Sequence, residues 1–218
     1  MAAALALDGE RPAFIVASAA VRHDPDRAVA TARAWFERLG LALEELPLRT
    51  RRQATDRAIV ERAASGRFFY LAGGDPGQVV RILEGTPAWD AIVGAWRGGA
   101  VLAGSSAGAM ALGSWTLIRA RYPGDARRDA RPALGLVPGL AVVPHFETFG
   151  HRWVPEARDA MVAAGGVLVG LDERTAALWS DGGWRGYGPG AVTVLGNVER
   201  KFTTGERIEG LPSPVTAV

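Results

Sequence analysis

Ala100-Val101-Leu102-Ala103-Gly104-Ser105-Ser106-Ala107-Gly108-Ala109 joins a short apolar run to a turn built of small residues. Residues 100–103 have the length and composition of a buried strand, and the stretch after them can open a helix. A strand that turns straight into a helix around a hydroxyl, with Gly104 and Gly108 on either side, is the nucleophile-elbow pattern G-x-S-x-G. The central residue of such an elbow takes strained backbone angles, and small neighbours let the turn close. Ser106 is centred between the two glycines; Ser105 is the rival hydroxyl. The helix start would aim backbone N–H groups at the reacting centre, with that of Ala107 as a natural oxyanion donor.

Working outward, the first half alternates short apolar runs with longer amphipathic ones. Residues 13–17, 41–46 and 68–72 read as strands, and helices are expected over 26–39, 55–64 and, once or twice, between 77 and 97. That alternation predicts βαβ units and a mostly parallel sheet. In the second half, 140–143 and 167–171 read as strands with a helix over about 154–164 between them. Short strands with hairpin signals follow, at 176–179 and 184–187 around Ser180-Asp181-Gly182-Gly183, then at 191–195 and 200–203. With no repeat, low-complexity tract or linker, residues 1–218 are expected to form a single α/β domain.

Composition narrows the chemistry. There is no cysteine, which removes disulfides, thiolate metal sites and a cysteine nucleophile together. The net charge is +2 although the pI is about 9.5, because 24 of the 25 basic residues are arginines and only Lys201 is a lysine. A nucleic-acid partner is not expected, since no basic run with interleaved aromatics stands out. Arg119, Arg121, Arg127, Arg128 and Arg131, interrupted by Asp125 and Asp129, read as a solvated loop, with substrate-carboxylate binding as the functional alternative. The apolar start Met1-Ala-Ala-Ala-Leu-Ala-Leu-Asp8 is too short for a secretory core, and no segment reaches a membrane span. A soluble, cytoplasmic protein without membrane partners is the expectation.

The elbow needs partners. The 68–72 strand runs into Gly73-Gly74-Asp75-Pro76-Gly77, and ligand sites in parallel sheets lie beyond the carboxyl ends of strands. Gly73 and Gly74 let backbone approach a substrate, and one of their N–H groups, or that of Asp75, is a candidate second oxyanion donor; the plain reading is a tight turn with Asp75 capping the next helix. Phosphate binding is disfavoured, as neither a P-loop lysine nor a dinucleotide fingerprint is present. A serine nucleophile needs a general base, and the chain holds His23, His145 and His151. His145 follows the 140–143 strand in Val143-Pro144-His145-Phe146-Glu147, at the expected active-site edge. For the orienting carboxylate, Glu173 and Asp172 follow the 167–171 strand and Asp125 is a third choice; spacing does not decide among them.

Taken together, Leu71-Ala-Gly-Gly-Asp75, Ala103-Gly-Ser-Ser-Ala-Gly-Ala109, Pro144-His-Phe146, Gly170-Leu-Asp-Glu-Arg-Thr-Ala176 and Gly188-Pro-Gly-Ala-Val-Thr-Val194 resemble, in order, the landmarks of the peptidase E and cyanophycinase family of serine peptidases. The resemblance implies a flavodoxin-like, class I glutamine amidotransferase-like α/β fold. In it a mostly parallel sheet is flanked by helices, with short antiparallel strands near the C-terminus. It implies Ser106 as nucleophile, His145 as base, Gly74 and Ala107 as oxyanion donors, and no cofactor or metal. The cyanophycinase branch puts Glu173 in the acid role. The peptidase E branch takes its acid from the segment after the serine, where Arg119-Ala-Arg-Tyr-Pro-Gly-Asp125 has no aspartate at the matching offset. The Asp-Gln before the histidine and the arginines after it in cyanophycinases are mostly missing here, so cyanophycin is not the expected substrate. Pro-His-Phe is closer to peptidase E, which cleaves after an N-terminal aspartate.

The expected activity is hydrolysis of a short, acidic peptide or amide. Gly73, Asp75, Arg119, Arg121 and Arg152 are candidate substrate contacts. The competing reading is a non-catalytic member of the fold that binds a small ligand or partner, and an esterase is a third. The family inclines toward homodimers, for which Trp153, Trp184 and Tyr187 are candidate interface residues, unless they pack in the core.

Overall fold

Ala13-Phe14-Ile15-Val16 forms β1 (Ala13–Val16), buried at every position, in a computed structural model that describes residues 11–119, 128–163, 166–196 and 198–215. The chain falls into two compact units, Met1–Gly108 and Ala109–Val218.

In the first unit β1 is followed by α1 (Pro25–Glu37), β2 (Glu44–Glu45), α2 (Arg57–Ser65), β3 (Phe68–Leu71), α3 (Pro76–Leu83), α4 (Pro87–Arg97) and β4 (Val101–Gly104). Each helix has its start written in sequence. Asp24, Asp56, Asp75 and Thr86 accept backbone N–H groups of the first turn, and Pro25, Pro76 and Pro87 open three of the helices. The strands form a parallel sheet in the order β2-β1-β3-β4. Val29, Ala32 and Phe36 of α1 pack with Ala13, Ile15, Leu41, Leu43 and Phe68. The apolar signal over 41–46 comes from the buried Leu41, Leu43 and Leu46, yet only two residues there pair with β1. In the β3–β4 register Leu71 lies opposite Gly104, so the loops leaving these two strands start level with each other.

The boundary between the units falls inside α5 (Ala107–Leu112). The second unit contains β5 (Gly113–Arg119), β6 (Arg128–Pro132), β7 (Val137–Pro144), α6 (Val154–Ala163), β8 (Val167–Leu171), β9 (Ala176–Ser180), β10 (Gly183–Tyr187), β11 (Val192–Leu195), β12 (Glu199–Phe202) and β13 (Arg207–Ile208). Six of these strands make a sheet ordered β12-β11-β8-β7-β5-β6, with β5, β7 and β8 parallel at its centre and antiparallel strands outside them. The other three form a small antiparallel sheet, β13-β10-β9. The protein is therefore α/β with parallel strands at the heart of both larger sheets and antiparallel additions towards the C-terminus. Pro144 of β7 lies opposite Leu171 of β8, so these strands too end level.

The arginine-rich stretch is not simply a solvated loop. Arg119 and Arg131 belong to the β5–β6 pair, with Arg119 opposite Arg128 and Thr116 opposite Arg131. β6 is an edge strand of polar sequence, Arg-Asp-Ala-Arg-Pro, and charged edges carry no apolar period to read. Arg121, Asp125 and Arg127 lie outside the described residues. Trp153 and Trp184 are partly buried within the second unit, Trp184 donating its Nε1–H to the Pro212 carbonyl at 2.8 Å. Tyr187 is 36% exposed. Among the described residues no helix is long and apolar enough to cross a membrane.

Candidate active site

One group of candidate residues, in the first unit, grows from the ends of β3 and β4. After Gly104 the chain turns at Ser105, whose N–H donates to the Leu71 carbonyl at 3.1 Å. Ser106 then takes φ +46°, a left-handed conformation that costs a non-glycine residue energy and clusters at functional sites. α5 starts at the next residue, and the Gly108 N–H closes the turn on the Ser105 carbonyl at 2.8 Å. Gly108 is required by space: a Cβ there would stand 2.1 Å from the Leu71 carbonyl oxygen. Because that neighbour is backbone, Gly108→Ala is expected to destabilise the protein by about 3 kcal/mol or more. Urea unfolding followed by tryptophan fluorescence measures this, and a midpoint unchanged from wild type would refute the close approach.

The two hydroxyls of the elbow differ. Ser105 Oγ lies 2.7 Å from Tyr70 Oη, and the Tyr70 ring meets Phe36 edge-on at 5.0 Å. Ser105 is thus tied to the core of the first unit, whereas Ser106 holds the strained central position. A Cβ on Gly73 would lie 3.3 Å from Ser106 Cβ and 3.8 Å from its Oγ, so the glycine pair and the elbow are neighbours. Gly74 has φ +141°, and a side chain there would strike the Ala19 carbonyl oxygen at 2.3 Å. Asp75 is occupied. Its N–H donates to Ala19 O at 2.8 Å, one carboxylate oxygen accepts from the Gly77 N–H at 2.9 Å, and the other pairs with Arg22 at 2.9 Å. The Asp75 N–H is therefore spent within the fold, which leaves the loop's candidate oxyanion donors as Gly73 and Gly74. Among the described residues, the N–H groups of Gly74 and Ala107 have no protein acceptor.

Another group, in the second unit, grows from the ends of β7 and β8. His145, directly after β7, has φ +56°, and its carbonyl oxygen accepts from the N–H groups of Thr148, Phe149 and Gly150 at 3.2, 3.0 and 2.7 Å. Gly150 fits because it has no Cβ, which would lie 2.2 Å from the Pro144 carbonyl oxygen. The tight turn presents the imidazole to Glu173, with Nδ1 and Oε1 2.5 Å apart. Phe149 stacks on the imidazole at 4.8 Å and 20°, Trp153 meets Phe149 edge-on at 5.3 Å, and the Arg128 guanidinium sits 4.1 Å over Trp153. Phe146 donates its N–H to the Leu171 carbonyl at 3.0 Å and lays its ring where a Gly170 side chain would be. Both carboxylate oxygens of Glu147 accept from the Glu173 N–H, at 2.9 and 3.0 Å.

Asp172 and Glu173 point in different directions, and Glu173 is the one that meets His145. Asp172 turns away and accepts the Ala191 N–H at 2.9 Å. The turn is fixed from the 188–191 segment: Gly190 donates to Thr175 Oγ1 at 3.0 Å, and Thr175 Oγ1 donates to the Glu173 carbonyl at 3.1 Å. Arg174 has φ +58°, and side chains on Gly188 or Gly190 would collide with Arg174 O at 2.2 Å or Asp172 Cβ at 2.6 Å. Of the other histidines, His151 puts Nδ1 3.2 Å from the Phe146 carbonyl, and His23 is exposed in the turn before α1. Arg119 ends β5 and Arg152 lies in the short turn Gly150–Trp153, both exposed.

The model of peptidase family S51 matches residues 3–185. The chain belongs to peptidase family S51. This S51 chain is 28% identical over 159 residues to cyanophycinases of Synechococcus elongatus and Thermosynechococcus vestitus, covering 70% of this chain and 49% of each relative. It thus spans about half the length of the curated relatives it matches. Among solved structures it is similar to a peptidase from an acI-B1 Actinobacterium, with TM-score 0.75 and 28% identity, covering 90% of this chain and 82% of that one. A Listeria monocytogenes EGD-e protein assigned to peptidase E shares the fold at TM-score 0.53 and 16% identity, covering 92% of this chain and 87% of that one. Sequence reasoning about the S51 chain did not reach Tyr70, Glu147, Phe149 or Thr175. Each acts through a neighbour's hydroxyl, amide or ring, and no spacing rule marks such roles.

Proposed function

We propose that this S51 chain is a serine peptidase or amidase acting on a short acidic peptide or amide, with Ser106, His145 and Glu173 as its triad. The observation that carries the reading is the left-handed elbow at Ser106, opening a helix at the carboxyl edge of a parallel sheet. The His145–Glu173 pair supports it, since a carboxylate on Nδ1 leaves Nε2 as the basic nitrogen. Family membership supports the reaction class.

In this mechanism Ser106 Oγ attacks the scissile carbonyl carbon while His145 Nε2 takes the hydroxyl proton. The tetrahedral oxyanion is held by the N–H groups of Ala107 and Gly74, and the strain stored at Ser106 keeps the first of these aimed at it. Collapse expels the amine, which receives the proton from His145. Water then attacks the acyl-enzyme, His145 again accepting a proton, and the acid product leaves Ser106 regenerated. Glu173 stays ionised and holds the imidazole tautomer. The preference for an aspartyl substrate rests on Pro144-His145-Phe146, which resembles peptidase E, and on the arginines that follow the histidine in cyanophycinases being mostly missing, with Arg152 alone nearby.

A fluorophosphonate probe tests the nucleophile in the wild-type chain. Labelling is expected at one site, mapped by mass spectrometry of the digested protein to Ser106, with hydrolysis of Asp-X dipeptides exceeding that of the matching esters. An unlabelled protein, or a label on Ser105, would overturn the reading.

A further inference from the structure

Glu147 has no place in the reaction above, yet it grips the residue that supplies the acid. Glu173 lies beyond the end of β8, outside the ladder that fixes its strand, and its side chain is 48% exposed. Both of its peptide groups are nonetheless held, and both by side chains: Thr175 Oγ1 binds the carbonyl, and the Glu147 carboxylate binds the N–H with both oxygens. Fixing those two groups fixes the backbone from which the Glu173 side chain departs, and with it the line from Oε1 to His145 Nδ1. A charged acceptor forms roughly twice as strong a bond to an N–H as a neutral one. Keeping a second carboxylate beside the acid works against like-charge repulsion, so a plain turn cap is a poor account of it. The tripeptide His145-Phe146-Glu147 then grips the β8 end at three levels. The imidazole meets the Glu173 side chain, the Phe146 N–H and ring meet Leu171 and Gly170, and Glu147 meets the Glu173 backbone.

We infer that Glu147 is a positioning residue: its carboxylate clamps the Glu173 backbone and so holds the acid in line with the histidine. The inference rests on the triad reading, and its role is to set the orientation of the base rather than to touch substrate. Removing the clamp loosens the His145–Glu173 alignment in every step that needs it, which lowers kcat and leaves KM nearly unchanged. Glutamine keeps an oxygen of the same reach and serves as the conservative replacement.

Three readings test this in the full chain. With the Asp-X dipeptide best hydrolysed by wild type, E147A is expected to lose about 10- to 100-fold in kcat with KM changed less than about threefold, and E147Q to recover most of the loss. The low-field imidazole proton shared by His145 and Glu173, identified by its absence in E173Q, is expected in wild type and E147Q and lost to exchange in E147A. In wild type the Glu173 amide, on an exposed residue, is expected to exchange at least about tenfold more slowly than an unstructured amide. An unprotected Glu173 amide in wild type overturns the clamp, and this holds even should E147A fail to fold. Wild-type kcat in E147A, a rise in KM alone, or E147Q as impaired as E147A overturns it as well. Failure of the peptidase reading shows separately, as a wild-type chain that takes no fluorophosphonate; the amide and imidazole signals then still decide the clamp.

Discussion

Ser106→Ala is expected to lower kcat by about a millionfold, to the level set by binding and oxyanion contacts alone. The size follows from the single point at which the reaction becomes covalent: without Oγ there is no acyl-enzyme, and the His145–Glu173 pair has no proton to take. Alanine fits the elbow's volume, so the folded population should match wild type. The matched control is Ser105→Ala. Its hydroxyl is engaged by Tyr70 on the core side of the turn, and its removal is expected to cost less than about tenfold in kcat, the scale of one neutral hydrogen bond. Initial rates with the best Asp-X dipeptide, at enzyme concentrations high enough to see a single turnover per hour, measure both. A Ser106→Ala chain within tenfold of wild type, or a dead Ser105→Ala chain, would move the nucleophile elsewhere.

Glu173→Gln is expected to cost about 10⁴-fold in kcat, because an amide can offer N–H where Nδ1 needs an acceptor and so favours the wrong tautomer. Glu173 is half exposed and its backbone is held independently of its carboxylate, so thermal stability should be unchanged. Asp172→Asn is the contrast. That carboxylate accepts the Ala191 N–H, and its loss is expected to weaken the fold by about 1 kcal/mol. Activity and melting temperature, measured on both variants, separate the roles. A Glu173→Gln chain with near-normal kcat would show that the imidazole is oriented by something else.

The parts of the fold that could be read from sequence were those with an apolar run or a cap. β1, β3, β4, β7 and β8 are short runs of Val, Leu, Ile, Phe and Ala, and the helices of the first unit begin at Asp or Thr caps. β5 and β6 escaped because Gly-Ser-Trp-Thr-Leu-Ile-Arg mixes its period and Arg-Asp-Ala-Arg-Pro has none. At the site, Ser106, His145 and the glycine pair stood out because each follows a strand directly. Spacing alone left Glu173 and Asp172 open and only the resemblance to cyanophycinases favoured Glu173, because the direction of adjacent side chains, which alternates along a chain, leaves no trace in spacing. The strained φ values at Ser106, His145 and Arg174 were equally silent, since none is a glycine.

The turn that carries Glu173 has a consequence for how the protein comes into being. Two of its anchors, the N–H groups of Gly190 and Ala191, come later in the chain than Ser106, His145 and Glu173, and β11, which pairs with the strand before the turn, comes later still. A nascent polypeptide that has emerged from the ribosome only as far as Tyr187 carries all three side chains, with Glu147 and Thr175 to hold the Glu173 backbone, but lacks the two amides and the strand that brace the turn. The turn that carries Glu173 is therefore completed only after the 188–195 segment has been made.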